Sequence, residues 1–265
     1  MSTYSSYQDN YTANTDRYPT PAIWHQLDAL AERPGRVVGL FDDFETFPIT
    51  WGTTEGNWGR YKTFGSSGAA GADGDTVGGV LKMTEATDNE GMALAMHGLP
   101  FQLINTGGLC GFEARLACST INNAAGGMFV GLMDQQTLAV GIPITTGGVI
   151  LTTGNFVGWY RVEADGDMLD AITQENGETL VTVKADAHTL VADTYVKVGF
   201  LFEPLKKLVT FYKNGVPLAE TSAVSDTAGS AFPNDVRMGA CFGFTSGATT
   251  PSVWSMDWWK AYQAV

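Results

Sequence analysis

The sequence predicts an all-β domain, a sandwich of two antiparallel sheets, preceded by an extended N-terminal arm and one short helix. Three observations carry that reading. Short apolar runs recur along the chain between turn residues, and 32 of the 265 residues are glycine. That is the pattern of strands joined by tight turns. Several runs alternate at period two. Phe112, Ala114 and Leu116 oppose Glu113 and Arg115; Val196, Val198, Phe200 and Phe202 share a face, as do Met238, Ala240, Phe242 and Phe244. Alternation of that kind lines one face of a strand. Finally, the strand–helix alternation that a parallel sheet requires is missing.

Residues 1–20 are Tyr, Ser, Thr, Asn and Asp with little to bury, and read as an arm. Its tyrosines Tyr4, Tyr7, Tyr11 and Tyr18 are candidate partner contacts. The run TPAIWHQLDALAERPG predicts a helix over about residues 21–32. Thr20 can cap it, Pro21 suits its first position, and Pro34–Gly35 stop it. Ile23, Trp24, Leu27 and Leu30 form its apolar stripe. The stripe can pack on its own domain or on a neighbouring subunit; in the second case Trp24 and Leu27 are partner contacts. The chain divides into residues 1–36, arm plus helix, and 37–265, the sandwich.

Within the sandwich, GGMFVGLMD is apolar on both faces, as a central strand is. Trp159 and Tyr160 are adjacent in a strand and point to opposite faces. Asn214–Gly215 between two apolar runs predicts a type I′ hairpin, and Pro217 marks an edge strand. In the closing SVWSMDWWKAYQ, strict period two puts Trp254, Met256, Trp258 and Tyr262 on one face. Ser255, Asp257, Trp259 and Ala261 fall on the other. Neither face is polar, so the strand is expected to be covered on both sides, with Asp257 taking a local backbone hydrogen bond.

Fifteen basic against 28 acidic residues leave a net charge of −13. Nucleic acid and anionic membrane are therefore poor partners. No apolar run is long enough to span a bilayer, and the N-terminus lacks the basic start and apolar stretch of a secretory signal. Synthesis in a cytoplasm is the expectation. Cys110, Cys118 and Cys241 have no framework spacing; eight residues of strand between the first two span about 26 Å, beyond disulfide reach. All three read as small buried hydrophobes.

The order of motifs resembles a known superfamily. FDDFE precedes a Trp/Gly-rich stretch; GFEARL, YVKVGFLFE and VTFYKNGVPL follow; MDWWKAY closes the chain. This order is similar to the concanavalin A-like, laminin-G-like jelly rolls, over about residues 37–265. Within them it looks most like the versions carried by tailed bacteriophages as virion proteins, with a polar arm before the jelly roll and no signal. The resemblance implies a jelly-roll β-sandwich that decorates or cements a capsid exterior. It would bind capsid or other virion proteins, form a homo-oligomer on the virion, and lack enzymatic activity. The same superfamily implies an alternative, a carbohydrate-binding module of a tail or host-facing fibre, and less favourably a glycoside hydrolase.

The residues were weighed for chemistry in that light. Retaining glycosidases need two carboxylates about 5–5.5 Å apart. The nearest approach to E-x-D-x-x-E is EADGD, Glu163, Asp165 and Asp167, but Met168 stands where the second glutamate belongs. The segment reads as a polar hairpin tip. Asp73 and Asp75, and Asp165, Asp167 and Asp170, are candidate cation ligands. Neither group has the length or regularity of a calcium loop, so solvated turn acids are expected. His25, His97 and His188 are scattered, against zinc. No catalytic residue, metal or cofactor is expected. Trp51, Trp58 and Tyr61 lie in a non-periodic Gly-rich stretch. They can stack on a sugar or a partner, or close one end of the sandwich.

Overall fold

The computed structural model describes residues 17–33, 35–45, 56–58, 61–65, 69–72, 79–85, 91–96, 98–119, 121, 126–134, 144, 150, 153–225, 231–247 and 252–265. They form two eight-stranded antiparallel sheets and one helix. With strands numbered in chain order, the first sheet runs, neighbour to neighbour, β14 (Val216–Ala223), β13 (Leu208–Lys213), β12 (Val196–Glu203), β7 (Cys110–Cys118), β16 (Ser252–Ala264), β5 (Leu81–Glu85) and β4 (Ala69–Ala72). β1 (Val37–Asp42) pairs with the far half of β16. The second sheet runs β11 (Val181–Thr189), β10 (Met168–Gln174), β9 (Phe156–Arg161), β8 (Met128–Asp134), β15 (Met238–Thr245), β6 (Gly91–Met96), β3 (Tyr61–Gly65) and β2 (Gly56–Trp58).

The inward faces are those that the alternation marked. Phe112, Ala114 and Leu116 of β7, Val196 to Phe202 of β12, and Met238 to Phe244 of β15 enter one apolar core between the sheets. Aromatic pairs cross it: Phe112 stacks on Phe200 at 5.8 Å, and Trp159 meets Phe211 edge-on at 6.1 Å. Tyr160 points the other way. All three cysteines are free and buried. Asn214 and Gly215 both have positive φ, 47° and 79°, as a type I′ turn demands. Pro217 lies on β14, which is an edge strand.

The last strand departs from strict alternation. Met256 pairs with Leu116 and Trp258 with Arg115, so Asp257 is an extra residue, a β-bulge. The bulge inverts the phase. Trp254 and Met256 point into the core, and beyond it Trp259 and Ala261 do so. Trp258 is displaced to the outward face, where its indole donates to the Arg17 carbonyl, and Tyr262 packs beside α1 (Pro21–Ala31). The sequence reading had Trp258 and Tyr262 with Trp254; one inserted residue explains the exchange. Asp257 does not bond to local backbone. It forms ion pairs with Arg115 at 2.7 Å and Arg17 at 2.8 Å.

Part of each outward face is covered by the chain itself. Helix α1 lies on the first sheet with Ile23, Trp24 and Leu27 buried against Leu201 and Tyr212. Gly111 makes this approach possible, because a Cβ there would stand 2.9 Å from Ile23 and 3.0 Å from Leu27. On the second sheet, Phe129, Met133, Phe156, Tyr160 and Ile172 are buried with Ile144 and Ile150. The Ile150 amide donates to the Tyr160 hydroxyl at 3.1 Å.

Candidate functional site

The segment Arg17–Asp28 is tied to charged residues of the first sheet. Arg17 pairs with Asp257, and Lys197 donates to the Tyr18 carbonyl at 2.9 Å. Buried Glu113 of β7 accepts the Thr20 amide at 2.8 Å, the Thr20 hydroxyl, and the Trp24 indole at 2.7 Å. Thr20 keeps the N-cap position but makes no side-chain cap; its hydroxyl is spent on Glu113. Lys260 donates to Asp28 and lies 4.5 Å from the centre of the Trp24 ring. Burial pushes the Lys260 pKa down and the Asp28 partner opposes that, while burial pushes Glu113 up against its three donors. These charges are paired because an unpaired buried charge costs several kcal/mol.

This geometry corrects part of the sequence reading. Trp24 and Leu27, 1% and 0% exposed, are consumed by their own sheet and offer no surface to a partner. Of the two homes weighed for the helix, the chain's own domain is the one observed. Tyr18 is exposed. Tyr4, Tyr7, Tyr11 and Trp51 lie outside the described residues, as does the side chain of Trp58, whose backbone is in β2. Tyr61 is 4% exposed; its hydroxyl donates to Asp42 and its ring packs on Trp259 at 5.6 Å. It closes the core and is no open platform for a sugar.

The acids fall differently from the sequence expectation. Glu163–Asp165 is a 3-10 turn, so these residues do not share a strand face as a glycosidase pair would. Asp165 and Asp170 instead meet Asp186 of β11, with carboxylate oxygens within 4.8 Å of one another. Burial, then repulsion from Asp165 and Asp186, raises the Asp170 pKa against the stabilising Asp186 amide. Three carboxylates supply three of the six to eight oxygens that calcium takes. Asp186 was missed because it arrives from the next strand through a register shift between β10 and β11. Asp73, Asp75 and His97 lie outside the described residues; His25 is exposed on α1, and His188 is half-buried on β11.

A cavity of about 380 Å³ opens where the edge strands β11 and β14 face each other across the side of the sandwich. Its polar lining residues are Thr173, Thr182, Thr221 and Ser222, and its apolar ones include Val183 and Phe232. Among the described residues, no charged side chain lines it. Thr182 and Thr221 are exposed at its mouth, while Thr173 and Phe232 are buried. Lys184 and Glu220 tie the two edges together at 2.7 Å. No single stretch of sequence signals this cavity, because its walls come from β10, β11, β14 and the approach to β15.

The fold has the two antiparallel sheets and crossed strand order of a concanavalin A-like jelly-roll β-sandwich, and solved structures bear this out. No family model matches the chain, and no curated protein matches it in sequence. A protein of unknown function from Shewanella oneidensis MR-1 aligns with a TM-score of 0.57 at 13% identity, covering 95% of this chain and 97% of that one. Peanut lectin, solved with a 9-residue peptide, aligns at 0.57 and 15% identity, over 87% and 99%. The endo-1,3-β-glucanase of Streptomyces sioyaensis aligns at 0.52 and 14%, over 87% and 97%. This last match corrects the exclusion of enzymatic activity drawn from the sequence. A glucanase is built on the same fold, so the architecture gives no ground for that exclusion.

Proposed function

We propose that this chain is a surface protein of a bacteriophage virion whose jelly roll binds carbohydrate. The observation that carries the carbohydrate half is the fold: a lectin matches it over nearly the whole of both chains, and a glucanase does so as well. The hydroxyl-lined opening at the sandwich edge adds chemistry suited to an uncharged polyol. A glycan array probed with the full chain tests this half; saturable signal on a defined saccharide class is expected, and a blank array overturns it.

The virion half comes from the order of sequence motifs and from the charge. A net charge of −13 suits the outside of a shell better than its DNA-filled interior. One structural observation favours it. Arg17, next in sequence to the polar run 1–16, is held by Asp257 and Trp258 on the first sheet's outer face. Capsid proteins are the proposed partners, with the chain present in many copies. Co-sedimentation of the purified chain with phage capsids is expected, and its loss on deleting residues 1–16 would assign the contact to the arm.

A further inference from the structure

We infer that the cleft between β11 and β14 is the carbohydrate site, and that it takes a neutral mono- or disaccharide. This rests on the carbohydrate-binding half of the proposed function and goes beyond it by naming the place and the ligand class.

The outer face of the first sheet is filled by Arg17–Thr20 and α1. The middle of the second sheet's outer face is closed by Ile144 and Ile150. Both sheets end in singly paired strands at β11 and β14, as they do at β4 and β2, and the described cavity lies at the β11–β14 end.

A sugar ring presents hydroxyls at its rim and C–H groups on its faces. The cleft is lined by the hydroxyl-bearing residues Thr173, Thr182, Thr221 and Ser222 together with Val183 and Phe232. An edge strand adds backbone N–H and C=O groups that no ladder uses. The volume of about 380 Å³ falls within the roughly 300–1,000 Å³ of small-molecule sites. An anionic sugar would find no cation in the lining, and Lys184 beside Thr182 is held by Glu220.

These edges do not suit a peptide strand as occupant. Pro217 removes an amide from the β14 edge, and β11 carries register shifts against β10. Both features blunt strand addition.

The test is calorimetric titration of the full chain with glucose, galactose, mannose, lactose, cellobiose and glucuronate. The double variant Thr182→Val, Thr221→Val removes two hydroxyls from exposed positions at nearly constant volume. Thr194→Val, an exposed threonine outside the cleft, is the control. A neutral sugar is expected to bind, with affinity falling at least tenfold in the double variant and unchanged in the control, while all three proteins unfold at the same urea midpoint. Equal affinity in the double variant overturns the site and leaves the carbohydrate reading standing. Glucuronate binding as tightly as glucose overturns the ligand class. No binding by any sugar overturns site and reading together.

Discussion

The indole N–H of Trp24 donates to the Glu113 carboxylate at 2.7 Å, joining the N-terminal helix to the centre of a β-sheet. The two residues are 89 positions apart, and each answers a need of the other. Glu113 must find donors because it is buried, and Trp24 must find an acceptor because its ring is.

The first prediction follows from that pair. Trp24→Phe keeps most of the packing and leaves the buried carboxylate one donor short, which costs about 1–3 kcal/mol. Trp24→Ala also opens a cavity beside Leu27 and Tyr212 and costs about 3–5 kcal/mol. Urea denaturation should rank wild type, Phe and Ala in that order. A Phe variant as stable as wild type would show that the hydrogen bond contributes nothing net.

Asp257 serves the bulge of β16 in the same way. Its side chain is 3% exposed and holds Arg115 and Arg17. Asp257→Asn removes the charge from a buried ion pair, and the expected loss is about 3 kcal/mol, the lower end for such breaks, since Arg17 keeps access to water. Thermal unfolding measures it. An Asn variant at the wild-type midpoint would mean that the bulge is held by backbone pairing alone.

His188 sets a pH dependence. Burial, and then the Lys213 charge, lower its pKa in the fold below the ordinary value of about 6.5. Between those two values the unfolded chain binds more protons than the native one, so this group's contribution to stability declines as pH falls through about 6.5 and levels off below the folded value. His188→Gln removes that slope. The difference in urea midpoint between about pH 7.5 and about pH 5 should therefore shrink in the variant; an unchanged difference would remove His188 from the account.

The acidic cluster predicts a gain. Asp165→Asn takes one like charge away from Asp170 and Asp186, which are near enough to raise the Asp170 pKa. At neutral pH and low salt the variant should be more stable by a few tenths of a kcal/mol, because exposed charges are well screened. The raised Asp170 pKa means that the penalty fades as pH falls through it, so variant and wild type should converge in acid. A less stable variant would indicate that Asp165 is held by a favourable partner.

Much of the fold was legible because burial on two sheet faces enforces period two. Phe112 to Leu116, Val196 to Phe202 and Met238 to Phe244 all point where their spacing says. The hairpin at Asn214–Gly215 was legible because few residue pairs accept two positive φ angles. The faces of Trp258 and Trp259 were not, since a bulge adds a residue without leaving a mark in composition. Trp24 stayed open between core and partner contact because amphipathic spacing shows that a stripe is buried and not by whom. Tyr61 stayed open between a stacking platform and an end cap because the stretch around it is non-periodic; it packs on Trp259 from the other end of the chain. The edge cleft could not be read at all, as its hydroxyls are ordinary strand residues until two sheets bring them together.

The most direct measurement is a ¹H–¹⁵N correlation spectrum of the full chain, titrated with the saccharide that binds most tightly. The account predicts saturable shifts at the amides of Thr182, Val183, Thr221, Ser222 and Phe232, with the Arg17–Asp28 segment unmoved. A spectrum that does not change, or that changes only around Arg17–Asp28, would contradict it.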